Sequence, residues 1–192
     1  MKRIGMMIVL IAGIAAPLFA QKGWELDKVH SRIEFTVKHM VISEVTGNFK
    51  DFSITLNSSK DDFSDAAVEA TIKTASVNTD NDYRDKDLRS DNFFGADRYP
   101  EITFKSTSFK NVGGNKFQII GNLTMRDVTK QVTFDGEYLG TVTTQGVTHA
   151  GWKVTITVNR FDYGLKWNKT IETGGLIVGQ DVNVTMTLEF KK

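Results

Sequence analysis

Residues 151–164 read GWKVTITVNRFDYG. Trp152, Val154, Ile156 and Val158 share one parity, while Lys153, Thr155, Thr157 and Asn159 share the other. Successive side chains of an extended strand point to opposite faces, so this stretch is a ribbon with one apolar and one polar side. Arg160 and Asp162 continue the apolar parity. A guanidinium and a carboxylate ending an oily face suit two roles. They form an ion pair at a rim, with each other or with a chain end, which adds little net stability. Alternatively, Arg160 offers a planar donor fork to an anionic or polar head group whose tail runs down the apolar face.

Outward from this ribbon the same period of two recurs. Ile33, Phe35 and Val37 alternate with polar residues, as do Phe52, Ile54 and Leu56. Ala66 to Ile72, Ile102 with Phe104, Phe117 to Met125, Val128 to Tyr138 and Val182 to Phe190 repeat it. The count is about eight strands, each with one buried face. Asn111–Asn115 and Arg126–Asp127 carry turn chemistry, and Leu139–Thr148 reads as a polar, Gly-containing joint. Parity slips between Phe49 and Phe52 and between Ile72 and Val77, which predicts bulges that bend the strands. Thr79–Phe94 is charged, starts with capping residues and sets Tyr83, Leu88, Phe93 and Phe94 toward an apolar side; it predicts a short helix across one end. A further helical turn is expected within 38–46. With one-sided strands and few helices the fold is all-β, a sandwich or a barrel, and bulged strands of consistent inner parity favour closure into an eight-stranded antiparallel barrel.

The inner parity mixes large residues (Phe35, Phe52, Phe104, Phe134, Trp152, Phe190) with small ones (Ala66, Ala70, Ser106, Gly121, Gly136). Such a mixture fits a solid taper, and equally a slot walled by aromatics.

The first 20 residues have the layout of a secretory signal: Lys2 and Arg3, an apolar run from Ile4 to Ala16, and Ala20 before a polar Gln21. Residues 21–192 then form one domain, expected in the periplasm or outside the cell. Without Lys2 and Arg3 there are 22 basic and 23 acidic residues, so no basic excess calls for nucleic acid. The absence of cysteine excludes disulfides, thiol catalysis and thiolate metal sites. No serine-hydrolase elbow, phosphate loop or zinc helix is present, and three histidines, His30, His39 and His149, are too sparse for a metal centre. The reading is of a binding protein without enzyme activity, metal or cofactor.

Six stretches together resemble the YceI-like family: WELDKVHSRIEFTVKHM (24–40), VTGNFKDF (45–52), DLRSDNFFGADRYPEITFKST (87–107), GNLTMRDVTKQVTF (121–134), NRFDYGLKWN (159–168) and VGQDVNVTM (178–186). The resemblance implies a lipocalin-like barrel with a short helix capping one end. It also implies an elongated apolar pore for a polyisoprenoid or other long-chain amphiphile, exchanged through transient membrane contact. The residues expected at the ligand are Phe35, Val37, Phe52, Phe94, Phe104, Leu123, Trp152, Val154, Ile156, Val158, Arg160 and Asp162. Three rivals remain on sequence: an eight-stranded outer-membrane barrel, an enzyme acting on a sequestered isoprenoid through Asp162 or His30, and a solid barrel that works through its surface. The connection 166–179 reads as either a lid or a homodimer contact.

Overall fold

A computed structural model describes residues 23–172 and 174–192; the expected signal segment 1–20 lies outside them. The strands are β1 (Gly23–Leu26), β2 (Arg32–His39), β3 (Ser43–Phe49), β4 (Phe52–Asn57), β5 (Ala67–Lys73), β6 (Val77–Asn78), β7 (Glu101–Gly113), β8 (Lys116–Met125), β9 (Val128–Thr144), β10 (Val147–Asn159) and β11 (Val178–Lys191), with one helix, α1 (Asp82–Arg89). Three ribbons are bent: β1 runs on into β2, β3 into β4 and β5 into β6. β1 and β2 both pair with β11, β1 with β4, β2 with β3, and β3 with β6. The bent pairs count as single staves, so the sheet closes as an eight-stranded antiparallel barrel in which sequence neighbours lie side by side.

The two expected parity slips are the bends at Lys50–Asp51 and at the 3-10 turn Thr74–Ser76. The third bend, Asp27–Ser31, carries no parity signal. There the Asp27 carboxylate accepts from the backbone N–H groups of Val29 and His30. Two expectations are corrected. Residues 38–46 form no helical turn: β2 and β3 meet in a tight hairpin, with Met40 and Val41 at φ 50° and 69°. Leu139–Thr148 is not a loop either, because β9 and β10 run through it and only Gln145–Gly146 connect them. Thr-rich sequence supplies good strand formers, and that outweighs Gly140 within the run.

Connections between sequential antiparallel staves must alternate between the two ends of the barrel. At one end lie Met40–Ile42, the α1 segment 79–100, Arg126–Asp127 and the long connection 160–177. At the other lie 58–66, the Gly113–Asn115 turn and Gln145–Gly146, together with the start of β1 and the end of β11. This second end is sealed by aromatics. Phe63, Phe109, Phe117 and Tyr138 all pack on Trp152 with ring centroids 5.0–5.5 Å apart, and Trp24 stacks against Phe63 at 5.6 Å. Each such ring buries a large apolar area, and edge-on pairs add about 0.5–1.5 kcal/mol beyond that.

The expected end helix is present but shorter than 79–94. Asn81 caps it by accepting from the Arg84 N–H at 2.9 Å. Buried Asp85 accepts from the Thr79 N–H and hydroxyl at 2.9 and 2.6 Å. Arg89 reaches the carbonyls of Ala75 and Val77 and pins the helix to β6. Leu88, Phe93 and Phe94 are thereby laid across the open end, with Phe94 edge-on to Phe49 at 5.6 Å.

Candidate functional site

Inside the barrel the apolar parity leaves a cavity of about 190 Å³. Its wall comes from every long strand, including Phe35 and Val37 of β2, Ile54 and Leu56 of β4, Phe104, Leu123, Phe134, alternate residues Trp152, Val154, Ile156 and Val158 of β10, and Val182, Val184, Met186 and Leu188 of β11. Among its lining residues only Thr103 and Arg160 are polar. The mixture of large and small residues therefore produces a hollow above a plugged base. The volume exceeds the roughly 150 Å³ apolar cavity that takes one benzene. It holds a segment of a hydrocarbon chain as it stands, and the flexible Met125 and Met186 in its wall let it adapt further.

Small residues do set the wall's shape. Gly121 lies directly under the Phe104 ring and beside the Lys105 carbonyl; a Cβ there would collide with both. That close approach turns Phe104 edge-on to Phe134 at 4.9 Å. Gly47 sits against Phe35 in the same way.

Ten of the twelve expected residues line the cavity: Phe35, Val37, Phe94, Phe104, Leu123, Trp152, Val154, Ile156, Val158 and Arg160. Phe52 is buried in the core but outside the lining. Asp162 is displaced entirely. Asn159 accepts from the Phe161 N–H and starts a 3-10 turn, Arg160–Tyr163, which Gly164 ends in the left-handed region at φ 76°. Strand parity stops at Asn159, so Asp162 swings outward and pairs with Lys130 at 3.0 Å. His30 is likewise exposed, at the Asp27–Ser31 bend.

Arg160 is the chemical centre of the site. It is 4% exposed, and its guanidinium donates to the carbonyls of Gly179, Leu165 and Val178 at 2.8, 2.5 and 2.9 Å. It also lies over the Phe161 ring at 4.4 Å. No carboxylate of the described residues is within ion-pairing distance. Burial alone pulls its pKa down from the ordinary value, yet a guanidinium stays charged. Three of its five N–H donors are used, and a buried charge without a counter-ion is costly. At the sealed end Trp152 lines the cavity with its Nε1–H unpartnered by protein. The cavity thus offers a wholly apolar surface, with the Arg160 guanidinium packed behind it near the open end and the Trp152 indole N–H behind it near the closed one.

Lining residues that the sequence pattern did not single out come from two sources. Val182, Val184, Met186 and Ile33 are plain inner-parity positions. Leu165 comes from an irregular connection over the open end and carries no periodic signal, while Leu88 of α1 and Phe93 just beyond it are legible only as the apolar side of the end helix.

Among the described residues a metal centre has one candidate. Asp27, His30 and Glu189 bring one donor atom each within 4.8 Å of one another. His149 pairs with the same Glu189 at 2.8 Å. Asp27 is already committed to the β1–β2 bend, and its hydrogen bonds there, that to the His30 ring foremost, hold its carboxyl below the usual range.

The outer faces carry ion pairs, among them Lys105–Glu69, Lys116–Glu137 and Lys73–Glu101. A lipid-facing band would be apolar, so the outer-membrane reading fails.

Comparison with known proteins fits this geometry. The profile of the YceI-like domain matches residues 24–190. A UPF0312 protein of Staphylococcus aureus is 40% identical over 166 residues, covering 85% of this chain and 94% of its own. The YCEI protein of Campylobacter jejuni superposes with a TM-score of 0.70 at 31% identity, covering 81% and 89%. BcnA of Burkholderia cenocepacia gives a TM-score of 0.74 at 21% identity, covering 86% and 99%. A polyisoprenoid binding domain from Saccharophagus degradans gives 0.63 at 17% identity, covering 88% and 98%; these last two show a shared fold.

Proposed function

Because the chain belongs to the YceI-like family, whose barrel fold supports lipid or isoprenoid binding in general, we propose that it carries a long-chain lipid with an anionic head, of the polyisoprenoid phosphate type. The observation that carries this reading is an apolar cavity, sealed at one end, with one buried, charge-unpaired guanidinium near its open end. The tail lies along the inner faces of β10 and β11 toward Trp152, and the head reaches Arg160 at the open end.

At about 0.8 kcal/mol per buried methylene a prenyl or acyl tail gains much over water. A bilayer offers the tail nearly the same gain. Selection among lipids therefore falls to cavity shape and to the head-group contact, worth roughly 1.5–3 kcal/mol per charged hydrogen bond. Such a protein exchanges its cargo with membranes and holds it without turnover, since no carboxylate or imidazole reaches the lining. This role suits the periplasm or cell exterior expected from the leader-like first 20 residues.

Organic extraction of the purified protein followed by mass spectrometry tests the proposal. A stoichiometric long-chain amphiphile is expected. A lipid-free protein that also fails to take up prenyl phosphate from a micellar donor would overturn it.

A further inference from the structure

The hairpin tip joining β2 to β3 is Met40-Val41-Ile42, exposed by 41%, 62% and 89%. Tight hairpins ordinarily place Asn, Asp or Gly where φ is positive. Here Met40 and Val41 take those angles, and for a β-branched residue the left-handed region costs roughly 1–2 kcal/mol. Three successive apolar side chains are thus held largely in water in a strained turn.

The tip lies at the open end of the barrel. The Met40 N–H donates to the Ile177 carbonyl at 2.8 Å, and Val41 lies against Gly175. Ile171 flanks the same glycine, so the apolar surface continues onto the small hairpin 169–177, closed by the Thr170–Leu176 bridge. Val178, one residue beyond that hairpin, lines the cavity, as does Val37 on β2. Trp167 stacks on Phe93, another lining residue, at 5.6 Å. Exposed Lys166 and Lys169 have no carboxylate of the described residues within ion-pairing distance, and Lys169 lies over the Trp167 ring at 5.8 Å.

We propose that the Met40–Ile42 tip and its neighbouring hairpin form a membrane-docking surface, seating the open end of the barrel on an anionic bilayer so that lipid passes without crossing water. The proposal rests on the lipid-carrier reading above and adds the surface and the partner. A bilayer suits the patch better than a protein. A stable protein interface needs on the order of 1,000 Å² or more, far beyond one turn. A few inserted apolar side chains beside lysines and an interfacial tryptophan are what shallow membrane attachment uses.

The test is co-sedimentation with phosphatidylcholine vesicles containing roughly 30% phosphatidylglycerol, together with transfer of a fluorescent prenyl phosphate between vesicles. Ile42→Asp is expected to lower vesicle binding at least tenfold and to slow transfer, while bound lipid and melting temperature stay those of the wild type. Val142→Asp, a change at another exposed apolar residue, on the hairpin at the sealed end, should alter neither readout by more than twofold. Wild-type protein that ignores the vesicles, or equal binding by wild type and Ile42→Asp, overturns the proposal. So does an Ile42→Asp effect confined to self-association, read by light scattering. A protein that docks yet contains no lipid would refute the carrier reading alone.

Discussion

Replacing Arg160 by Gln separates its two jobs. In the structure the guanidinium satisfies the carbonyls of Leu165, Val178 and Gly179, which leaves two N–H groups without a partner among the described residues. A neutral amide can serve one of the three carbonyls. Leaving two unpaired costs roughly 2–6 kcal/mol, at about 1–3 kcal/mol for each buried group. For a domain of this size that is a fall of roughly 4–24 °C in melting temperature. Removing the buried charge relieves part of this, so the lower half of the range is expected. Ligand binding changes differently. Losing one or two charge-assisted bonds of roughly 1.5 kcal/mol each weakens an anionic lipid by about 10- to 150-fold. A neutral prenol, held by the same wall, should lose less than threefold. Displacement of a fluorescent lipid by prenyl phosphate and by prenol, below the variant's transition, gives both constants. Equal losses for the two competitors would refute the head-group assignment and leave Arg160 as a fastener of the 160–179 connection.

Val154→Trp fills the mid-cavity between Trp152 and Ile156; extractable lipid should fall below about a tenth of wild type for an overpacking cost of about 1–3 kcal/mol, and full lipid content would show that the cargo sits elsewhere. Gly121→Ala should destabilise by a similar 1–3 kcal/mol, because the added carbon meets the Lys105 carbonyl and the Phe104 ring; an unchanged urea midpoint refutes this. Asp65 accepts from the Ser58 and Ser59 hydroxyls and from the Ser59 and Lys60 amides, which hold its carboxyl well below the ordinary 3.8. A depressed folded-state pKa contributes stability that is complete above the unfolded value and is lost as pH falls through the folded one. Asp65→Asn should therefore be less stable than wild type at neutral pH, with a gap that narrows below about pH 4; a pH-independent gap counts against the network.

Alternation alone identified the inward faces of β10 and β11, because a side-chain period of two has one solution once one face is buried. It also located two of the three bends, since a bulge shifts parity. It failed where the chain stops being a strand. Arg160 and Asp162 look equivalent by count, yet the turn begun by Asn159 buries one and exposes the other. The Met40–Ile42 hairpin was read as a helical segment because it has none of the residues that announce a turn. Leu165 and Phe93 reach the cavity only through tertiary packing, held by Arg126, which donates to the carbonyls of Phe93 and Gly164. The seal around Trp152 required four aromatics, from three strands and the 58–66 connection, to converge on it, and no single window of sequence contains that.

The chain's three tryptophans are unevenly placed. Trp24 and Trp152 sit in the plugged base, while Trp167 guards the opposite rim. The protein therefore carries its own depth gauge. A brominated tail tip would quench emission from the base, and a quencher on the head would dim the rim indole. Ligand polarity inside the barrel is thus readable from native fluorescence, with no label on the protein.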